Sequence, residues 1–181
     1  MNKKDIVSIL NDISIFYELN NESFFKIRAY QMASRALEIS DIEINKNTGI
    51  DELLKIKGIG KSIASQIIEL LNSGRLELYD ELRSKIPSGL IEMLKIPKLG
   101  PKKIKYLYDT LKISTIAELE NACIENRLAG LPNFGKKTQE NILHGIELIK
   151  KFKDKFLYSD VIDEAENIVS KLKNYKYVIN W

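Results

Sequence analysis

The sequence is poor in the residues from which disulfides, zinc centres and histidine-dependent catalytic sites are built. Its 181 residues include one cysteine, Cys123, and one histidine, His144. A single thiol cannot form an internal disulfide, and a single imidazole cannot supply a histidine cluster for a metal. We therefore expect no disulfide scaffold and no zinc centre, no required cofactor, and a reducing, cytoplasmic environment.

Long apolar runs are also missing. No uninterrupted apolar stretch approaches the roughly 18 residues of a membrane span, and the first five residues lack the apolar core of a signal peptide. Hydrophobic residues make up 44% and charged residues 29% of the chain, with only four prolines and nine glycines. This composition is typical of a folded globular protein without a membrane partner.

A large charge of one sign is absent as well, because the net charge is only +3. The basic excess is local, however. Residues 91–112 contain six lysines against Glu92 and Asp109: Lys95, Lys98, Lys102, Lys103, Lys105 and Lys112. A run of lysines by itself usually marks a solvated helix face. Its meaning here depends on the backbone pattern around it.

Helical spacing of apolar residues dominates the chain and predicts about ten short helices. The first segment carries this stripe clearly: Ile6, Ile9, Leu10, Ile13 and Phe16. Thr48 followed by Asp51 resembles a capping box that starts a short helix, and Gly74 is placed to end a helix over 61–73. Only Tyr175–Ile179 is aromatic and β-branched, which predicts a single strand. The predicted fold class is all-α with one C-terminal strand.

Three segments repeat one plan, in which an apolar helix end is followed by a glycine turn and a helix that opens with lysine. They are residues 54–64, 94–104 and 129–139. Aligned in register, each turn has an apolar residue followed by glycine: Ile59-Gly60, Leu99-Gly100 and Phe134-Gly135. Glycine lets the amides of the following helix approach an anion, and the helix dipole favours negative charge at that end. Phosphate is the natural ligand of such a turn.

The candidate DNA-binding residues are those of the turns and of the first helical residues after them: Gly58, Gly60, Lys61, Ser62, Lys98, Gly100, Lys102, Lys103, Gly135, Lys136, Lys137 and Thr138. Lys98 and Asn133 occupy the position of Gly58 in the other two copies. Asparagine tolerates a left-handed backbone, whereas lysine adopts it at a cost. We therefore expect the second turn to be reshaped.

This pattern is the helix-hairpin-helix motif, and the order of the motifs resembles the N-terminal half of a family X DNA polymerase. The resemblance is to the bacterial and archaeal type and, more distantly, to DNA polymerase β. It is carried by Asn21–Tyr30, the turn at 58–60, residues 94–103 and residues 134–142. It implies two small helical domains with three helix-hairpin-helix motifs, and a C-terminal strand separated from its palm.

By this resemblance, residues 1–85 form a domain like the family's lyase and 5′-phosphate-binding domain, and 88–152 form the DNA-binding subdomain. Residues 153–181 would then lead into a palm. The implied function is sequence-nonspecific binding of the DNA backbone, in gapped or nicked DNA during repair, by a monomer. Because the palm's metal-binding aspartates have no counterpart, we expect no polymerase activity from this chain alone.

The resemblance also assigns individual roles. Lys26 and Tyr30 match residues that contact the 5′-phosphate. A further phosphate-binding lysine of the family falls at Ser62, and Lys61, one position earlier, is expected to substitute for it. Gln66 stands where lyase-active members have their Schiff-base lysine, which argues against lyase activity. A monovalent cation, K⁺ or Na⁺, is the one ion the family's hairpins suggest, held by backbone carbonyls of the first copy: Leu54, Ile56 and Ile59.

Two other hypotheses remain at this point. One is a weak abasic-site lyase that uses Lys26 or Lys61 as its amine. The other is a helical protein-interaction module in which the hairpins pack against a protein partner, although three clusters of lysine would be an unusual choice for such a surface.

Overall fold

The computed structural model of the chain describes residues 1–153, and within them all regular structure is helical. The helices are α1 (Lys3–Leu19), α2 (Phe24–Ile39), α3 (Ile50–Leu54), α4 (Lys61–Ser73), α5 (Glu77–Ser84), α6 (Ser88–Met93), α7 (Pro101–Leu111), α8 (Ile116–Ile124) and α9 (Lys136–Lys153). The predicted all-α class is confirmed for this part of the chain. The strand predicted at 175–179 lies outside the described residues.

Helices α1 and α2 pack along each other and form the base of the N-terminal half. Their contact buries most of the predicted apolar stripe, including Ile6, Leu10 and Ile13 of α1, and also Leu37 of α2, whereas Ile9 is only half-buried. The buried Ser34 hydroxyl donates a hydrogen bond to the Val7 carbonyl, 3.0 Å away, and so satisfies a polar group within this contact. The periodicity of the sequence therefore translates directly into the helix pair that supports the first hairpin.

The helices begin in two different ways. Side chains cap α1, α2 and α8: Asn2, Ser23 and Thr115 each accept a backbone N–H of the first turn. The helices that follow the first two hairpin turns, α4 and α7, begin after Gly60 and Gly100 without any side-chain cap, and α3, α5 and α6 also lack one. Their first-turn N–H groups are left for another acceptor.

Two predicted helix boundaries have different outcomes. Gly74 ends α4 with a left-handed φ of 73°, as predicted. The capping box at Thr48 is wrong, because α3 begins after Gly49 and has no side-chain cap. The Thr48 hydroxyl accepts the Asn45 N–H at 3.0 Å, so it closes the preceding loop rather than starting the helix.

The second and third hairpins pack against each other. A Cβ built on Gly145 of α9 would lie 2.8 Å from Ile96 Cγ2, so this glycine allows the second turn to approach α9 closely. The third turn likewise contacts the helix that follows the second turn: its buried Phe134 stacks on Tyr106 of α7, with ring centroids 5.9 Å apart. Each turn thus rests on the helix that follows the other turn.

A direct contact joins the two halves of the described chain, because α1 packs against α7. At this contact the Lys102 ammonium lies 4.0 Å from a carboxylate oxygen of Glu18, whose side chain is only 14% exposed. No helix within residues 1–153 is both long and apolar enough to span a membrane.

Candidate nucleic-acid interface

The three hairpin turns share one hydrogen-bonding scheme. In each turn the apolar residue before the glycine donates its N–H to the carbonyl three residues earlier: Ile59 to Ile56 at 3.0 Å, Leu99 to Ile96 at 3.2 Å and Phe134 to Leu131 at 3.1 Å. The side chains of the three donors are buried, whereas the glycines that follow them are exposed. Each turn is therefore held in place by one buried apolar side chain, its plug, while the backbone at the following glycine is exposed to solvent.

The residue two places before each glycine adopts positive φ. The angle is 110° at Gly58 and 66° at both Lys98 and Asn133. The expected reshaping of the second turn is therefore wrong. Lys98 accepts the left-handed conformation because the buried plug Leu99 and the Leu99–Ile96 hydrogen bond fix the chain on either side.

Glycine at positions 60, 100 and 135 is required neither by conformation nor by packing. Gly60 and Gly100 have φ of −90° and −80°, which any residue adopts. A Cβ built on any of the three, Gly135 included, would meet nothing within 4 Å. Serine, aspartate or asparagine would cap the helix better than glycine does. Because glycine has no side chain, it leaves the backbone open at the start of a helix, where the helix dipole favours anions.

Lysines surround these open helix starts. Lys61 is the first residue of α4, and Lys136 and Lys137 open α9; all three are exposed. Lys102 follows the proline at the start of α7 and its side chain is 82% exposed. Lys103 is half-buried, with its ammonium 5.6 Å from the centre of the Phe134 ring. The second and third hairpins are thereby linked by a cation–π contact.

Two further predicted DNA-binding residues, Ser62 and Thr138, lie next to these lysines in the sequence. Ser62 is exposed in the first turn of α4. Thr138 is half-buried, and its N–H donates to the Gly135 carbonyl at 2.8 Å, which occupies one amide of the α9 start. The first turn of α9 therefore offers fewer vacant amides than the first turn of α4.

The third copy differs from the plan of a helix on each side of the turn. Helix α8 ends at Ile124, and residues 125–130 form turns instead of a helix. Asn126 adopts a φ of 57°, and its side-chain oxygen accepts a hydrogen bond of 2.9 Å from the amide of Gln139 in α9. This bond ties the irregular segment to the helix that follows the turn.

The structure brings Tyr30 and Gln66 into direct contact. The family resemblance assigns Tyr30 to 5′-phosphate binding and places Gln66 at the position of the lyase lysine. Tyr30 is 6% exposed, and its hydroxyl donates to Gln66 Oε1 at 2.7 Å. Burial raises the pKa of Tyr30 to about 12, so its hydroxyl stays protonated at neutral pH. Gln66 thus acts as a hydrogen-bond acceptor at the position where an amine nucleophile would be needed.

Lys26 lies on the exposed side of the same region. Its ammonium is 3.0 Å from a Glu22 carboxylate oxygen and 5.5 Å from the centre of the Tyr17 ring. The hydrogen bond from Lys26 lowers the pKa of Glu22, so the Glu22 carboxylate is ionised at neutral pH. Any phosphate bound by Lys26 has to share the ammonium with Glu22 or displace it.

The predicted cation ligands lie at the first turn, where the Ile56 carbonyl already accepts the Ile59 N–H. A carbonyl has a second lone pair, so this bond leaves Ile56 able to ligate an ion. Residues 1–153 contain no group of three or more His, Cys, Asp or Glu side chains arranged for a metal. A cation held by backbone carbonyls stays a prediction.

Sequence reasoning missed two residues near the second hairpin. Glu18 faces Lys102 across the contact between the halves, and Tyr106 stacks on Phe134. No local signal marks Glu18, because its partner lies far away in the sequence. Tyr106 could have been found from its position one turn after Lys103, on the face of α7 that follows the hairpin.

Comparison with known families agrees with this geometry. A family described as "Helix-hairpin-helix domain" matches residues 1–76, and one described as "SAM-like Helix-hairpin-helix tandem" matches residues 90–147. The first match spans the α3–α4 hairpin and the second spans the pair of hairpins that pack on each other. The protein therefore contains helix-hairpin-helix domains in both matched ranges.

A curated relative extends the relationship to the whole chain. The DNA polymerase/3′-5′ exonuclease PolX of Bacillus subtilis (strain 168) is 33% identical over all 181 residues. The resemblance to family X DNA polymerases is confirmed, and the chain is related to them over its full length. It spans 31% of the length of that relative.

Proposed function

We propose that this chain binds DNA through its phosphate backbone, without reading base sequence, as the N-terminal region of a family X polymerase. The observation that carries the proposal is the glycine at positions 60, 100 and 135, where neither φ nor packing calls for glycine. A ligand whose surface comes within van der Waals distance of the backbone explains all three. The relative's name describes a DNA polymerase, which makes DNA the natural source of that phosphate.

The binding chemistry follows from the helix starts. Vacant first-turn N–H groups of α4 and α7 donate to phosphate oxygens, and the adjacent Lys61 and Lys102 add charge. Base edges are not approached by these groups, so binding is insensitive to sequence. Because the second and third hairpins rest on each other's helices, their two helix starts present phosphate sites with a fixed separation.

We further propose a preference for gapped or nicked DNA with a 5′-phosphate, bound by a monomer. Lys26 and Lys61 would supply charge to that phosphate, and the buried Tyr30–Gln66 pair supports the helix faces that carry them. The proposed division of labour places the 5′-phosphate on residues 1–85 and the duplex backbone on residues 88–152. Participation in DNA repair follows from this substrate.

The test of backbone binding is its salt dependence. If each hairpin neutralises about two phosphates, the logarithm of affinity for duplex or gapped DNA should fall with the logarithm of salt with a slope of roughly −3 to −5. Replacing Lys102 and Lys103 by alanine should flatten this slope by about 1 to 2. Matched control variants are Lys4→Ala and Lys46→Ala, at exposed lysines outside the hairpins.

Two outcomes would contradict the proposal. One is DNA affinity that does not change with salt, and the other is an equal loss in the hairpin and control variants. For the 5′-phosphate, a gapped oligonucleotide that lacks it should bind more weakly by about 1 to 2 kcal/mol, the scale of a charge-assisted hydrogen bond. Equal affinity for both oligonucleotides would restrict the function to backbone binding.

A further inference from the structure

The third hairpin turn differs from the other two in the residue that plugs it. The plugs of the first and second turns are aliphatic, Ile59 and Leu99, whereas the plug of the third is the aromatic ring of Phe134. All three are buried and donate the same turn hydrogen bond, so an aliphatic residue is sufficient to close the turn. The turn itself therefore leaves the choice of a ring at position 134 unexplained.

The ring of Phe134 contacts α7, the helix that follows the second turn. The Lys103 ammonium lies 5.6 Å from the centre of the ring, and Tyr106 stacks on the ring with 22° between the two planes. Lys103 and Tyr106 are three residues apart and so lie on the same face of α7. A buried ring of the third hairpin thus contacts two side chains that belong to the second.

Lys103 differs from the neighbouring lysines of α7 in what holds its ammonium. Lys102 lies 4.0 Å from a carboxylate oxygen of Glu18, and Lys105 lies 2.8 Å from one of Asp109. In the described part of the chain, no carboxylate oxygen lies within 4.0 Å of the Lys103 ammonium. A carboxylate offsets the charge of a lysine and competes with an incoming phosphate. An aromatic ring is neutral and leaves the full charge on the ammonium.

Other lysines that contact a ring do not share this property. Lys26 and Lys105 lie 5.5 and 5.6 Å from the centres of tyrosine rings. Each of them also has a carboxylate oxygen, at 3.0 and 2.8 Å respectively. Among the ring-bound lysines within residues 1–153, Lys103 is the one whose charge no carboxylate offsets.

Lys103 also lies at an open helix start. Pro101 has no N–H, and the first intrahelical bond of α7 runs from the Ile104 N–H to the Gly100 carbonyl at 3.1 Å. The N–H groups of Lys102 and Lys103 are therefore the vacant donors of this first turn. The Lys103 ammonium has three N–H donors of its own, so it can bond phosphate oxygens while it stays beside the ring.

We propose that Phe134 is a positioning residue for DNA binding by the second hairpin, because it holds the charged ammonium of Lys103 beside the vacant N–H groups of α7. This inference rests on the proposed function and adds that the third hairpin acts through the second. Phe134 is 1% exposed, so its ring acts from beneath Lys103 and not by contact with DNA. A long side chain that is already held in place loses less conformational freedom when a phosphate binds.

The test is a double-mutant cycle in the full chain, measured by the fluorescence anisotropy of a labelled blunt duplex. Phe134→Leu removes the ring and keeps an aliphatic plug of the kind that the second turn has. It should weaken duplex binding by about three- to tenfold, the cost of immobilising one long side chain. In a Lys103→Ala background the same change should alter affinity by less than about twofold.

The matched control background is Lys102→Ala, at the adjacent lysine, which lies beside Glu18. Phe134→Leu should cost as much affinity in that background as in the wild type. A purely structural role of Phe134 predicts an equal loss in all three backgrounds, and that result would overturn the proposal. Wild-type affinity of the Phe134→Leu protein would overturn it as well.

Thermal unfolding shows whether Phe134→Leu is folded at the temperature of the assay. If it is not, a ring-fluorinated phenylalanine incorporated at position 134 takes its place, because fluorine weakens the negative face of the ring and largely keeps its shape. The fluorinated protein should bind duplex more weakly than the natural one when Lys103 is present, and equally well in the Lys103→Ala background. Equal affinity in both backgrounds would reject the positioning role.

Failure of this inference can be told apart from failure of the proposed function. If Lys102→Ala with Lys103→Ala weakens duplex binding but the effect of Phe134→Leu is independent of Lys103, the positioning role is rejected and backbone binding by the second hairpin stands. If the double lysine variant binds the duplex as well as the wild type, both proposals are rejected for this hairpin.

Discussion

The first and second hairpins have the same turn hydrogen bond but different residues at the position of positive φ. The turn of the first contains Gly58 at 110° and rests on α2, whereas the turn of the second contains Lys98 at 66° and rests on α9. An angle near 66° lies in the left-handed region that side chains reach at a cost, and 110° lies outside it. The support beneath each turn, rather than the motif itself, decides which residue is tolerated.

The largest effect on stability is expected when lysine, the residue of the second turn, replaces Gly58 in the first turn. Gly58→Lys should lower the free energy of unfolding by about 2 kcal/mol, because a side chain at φ of 110° is strained. Denaturant unfolding measures the change. The matched variant Gly130→Lys, at a turn glycine without positive φ and with nothing within 4 Å of its built Cβ, should have little effect. Equal stability of Gly58→Lys and the wild type would show that the first turn adapts.

The reverse exchange at the second turn should stabilise the fold. Lys98→Gly removes the cost of a left-handed lysine and should raise the free energy of unfolding by about 0.5 to 1 kcal/mol. The same change should weaken DNA binding, because it removes a cation beside the turn. Asn133→Gly, at an identical φ of 66°, is the control and should stabilise less, since asparagine tolerates this conformation. A destabilised Lys98→Gly variant would contradict this reading.

A smaller effect, at Gly100, distinguishes the contribution of the turn glycine to stability from its contribution to DNA binding. Gly100→Ser should stabilise α7 by a few tenths of a kcal/mol, since serine can accept a first-turn N–H that glycine leaves vacant. It should also weaken DNA binding by about 1 kcal/mol, because the hydroxyl occupies the place of a phosphate oxygen. Thermal unfolding and DNA titration of one variant measure both signs. Loss of stability and binding together would mean that the glycine serves the fold.

Much of this architecture could be predicted from the sequence, because it depends on local patterns. The apolar stripe of α1, the helix end at Gly74 and the three turn glycines are each encoded within a few residues of where they act. The resemblance to family X polymerases added the order of the motifs, and the relative that matches all 181 residues of this chain supports it. The roles of individual DNA-binding residues stay predictions.

The features that escaped prediction depend on contacts distant in sequence. The left-handed Lys98 is held by a buried plug and by packing on α9, which no local propensity encodes. Glu18 meets Lys102 only because α1 packs against α7. Tertiary neighbours, which no short window of sequence contains, decided these two cases.

The last prediction concerns α4, the second helix of the first hairpin, where Gln66 is hydrogen-bonded to Tyr30. The second hairpin has no equivalent pair among the described residues. The wild type should give little borohydride-trapped adduct with a 5′-deoxyribose-phosphate end. A Schiff base needs a neutral amine, and an ordinary lysine, with a pKa near about 10.4, is almost wholly protonated at neutral pH. The half-buried Gln66 provides no amine at all.

Gln66→Lys should restore a small amount of trapping, because the new amine would lie beside the protonated Tyr30 hydroxyl, on the helix whose start is proposed to hold the phosphate. Trapping should rise with pH as more of the amine becomes neutral. Ser65→Lys, one residue away at an exposed position, is the matched control and should trap less. Efficient trapping by the wild type, lost in Lys61→Ala or Lys26→Ala, would instead show that one of those exposed lysines acts as the nucleophile, and would make the first hairpin a lyase site as well as a phosphate site.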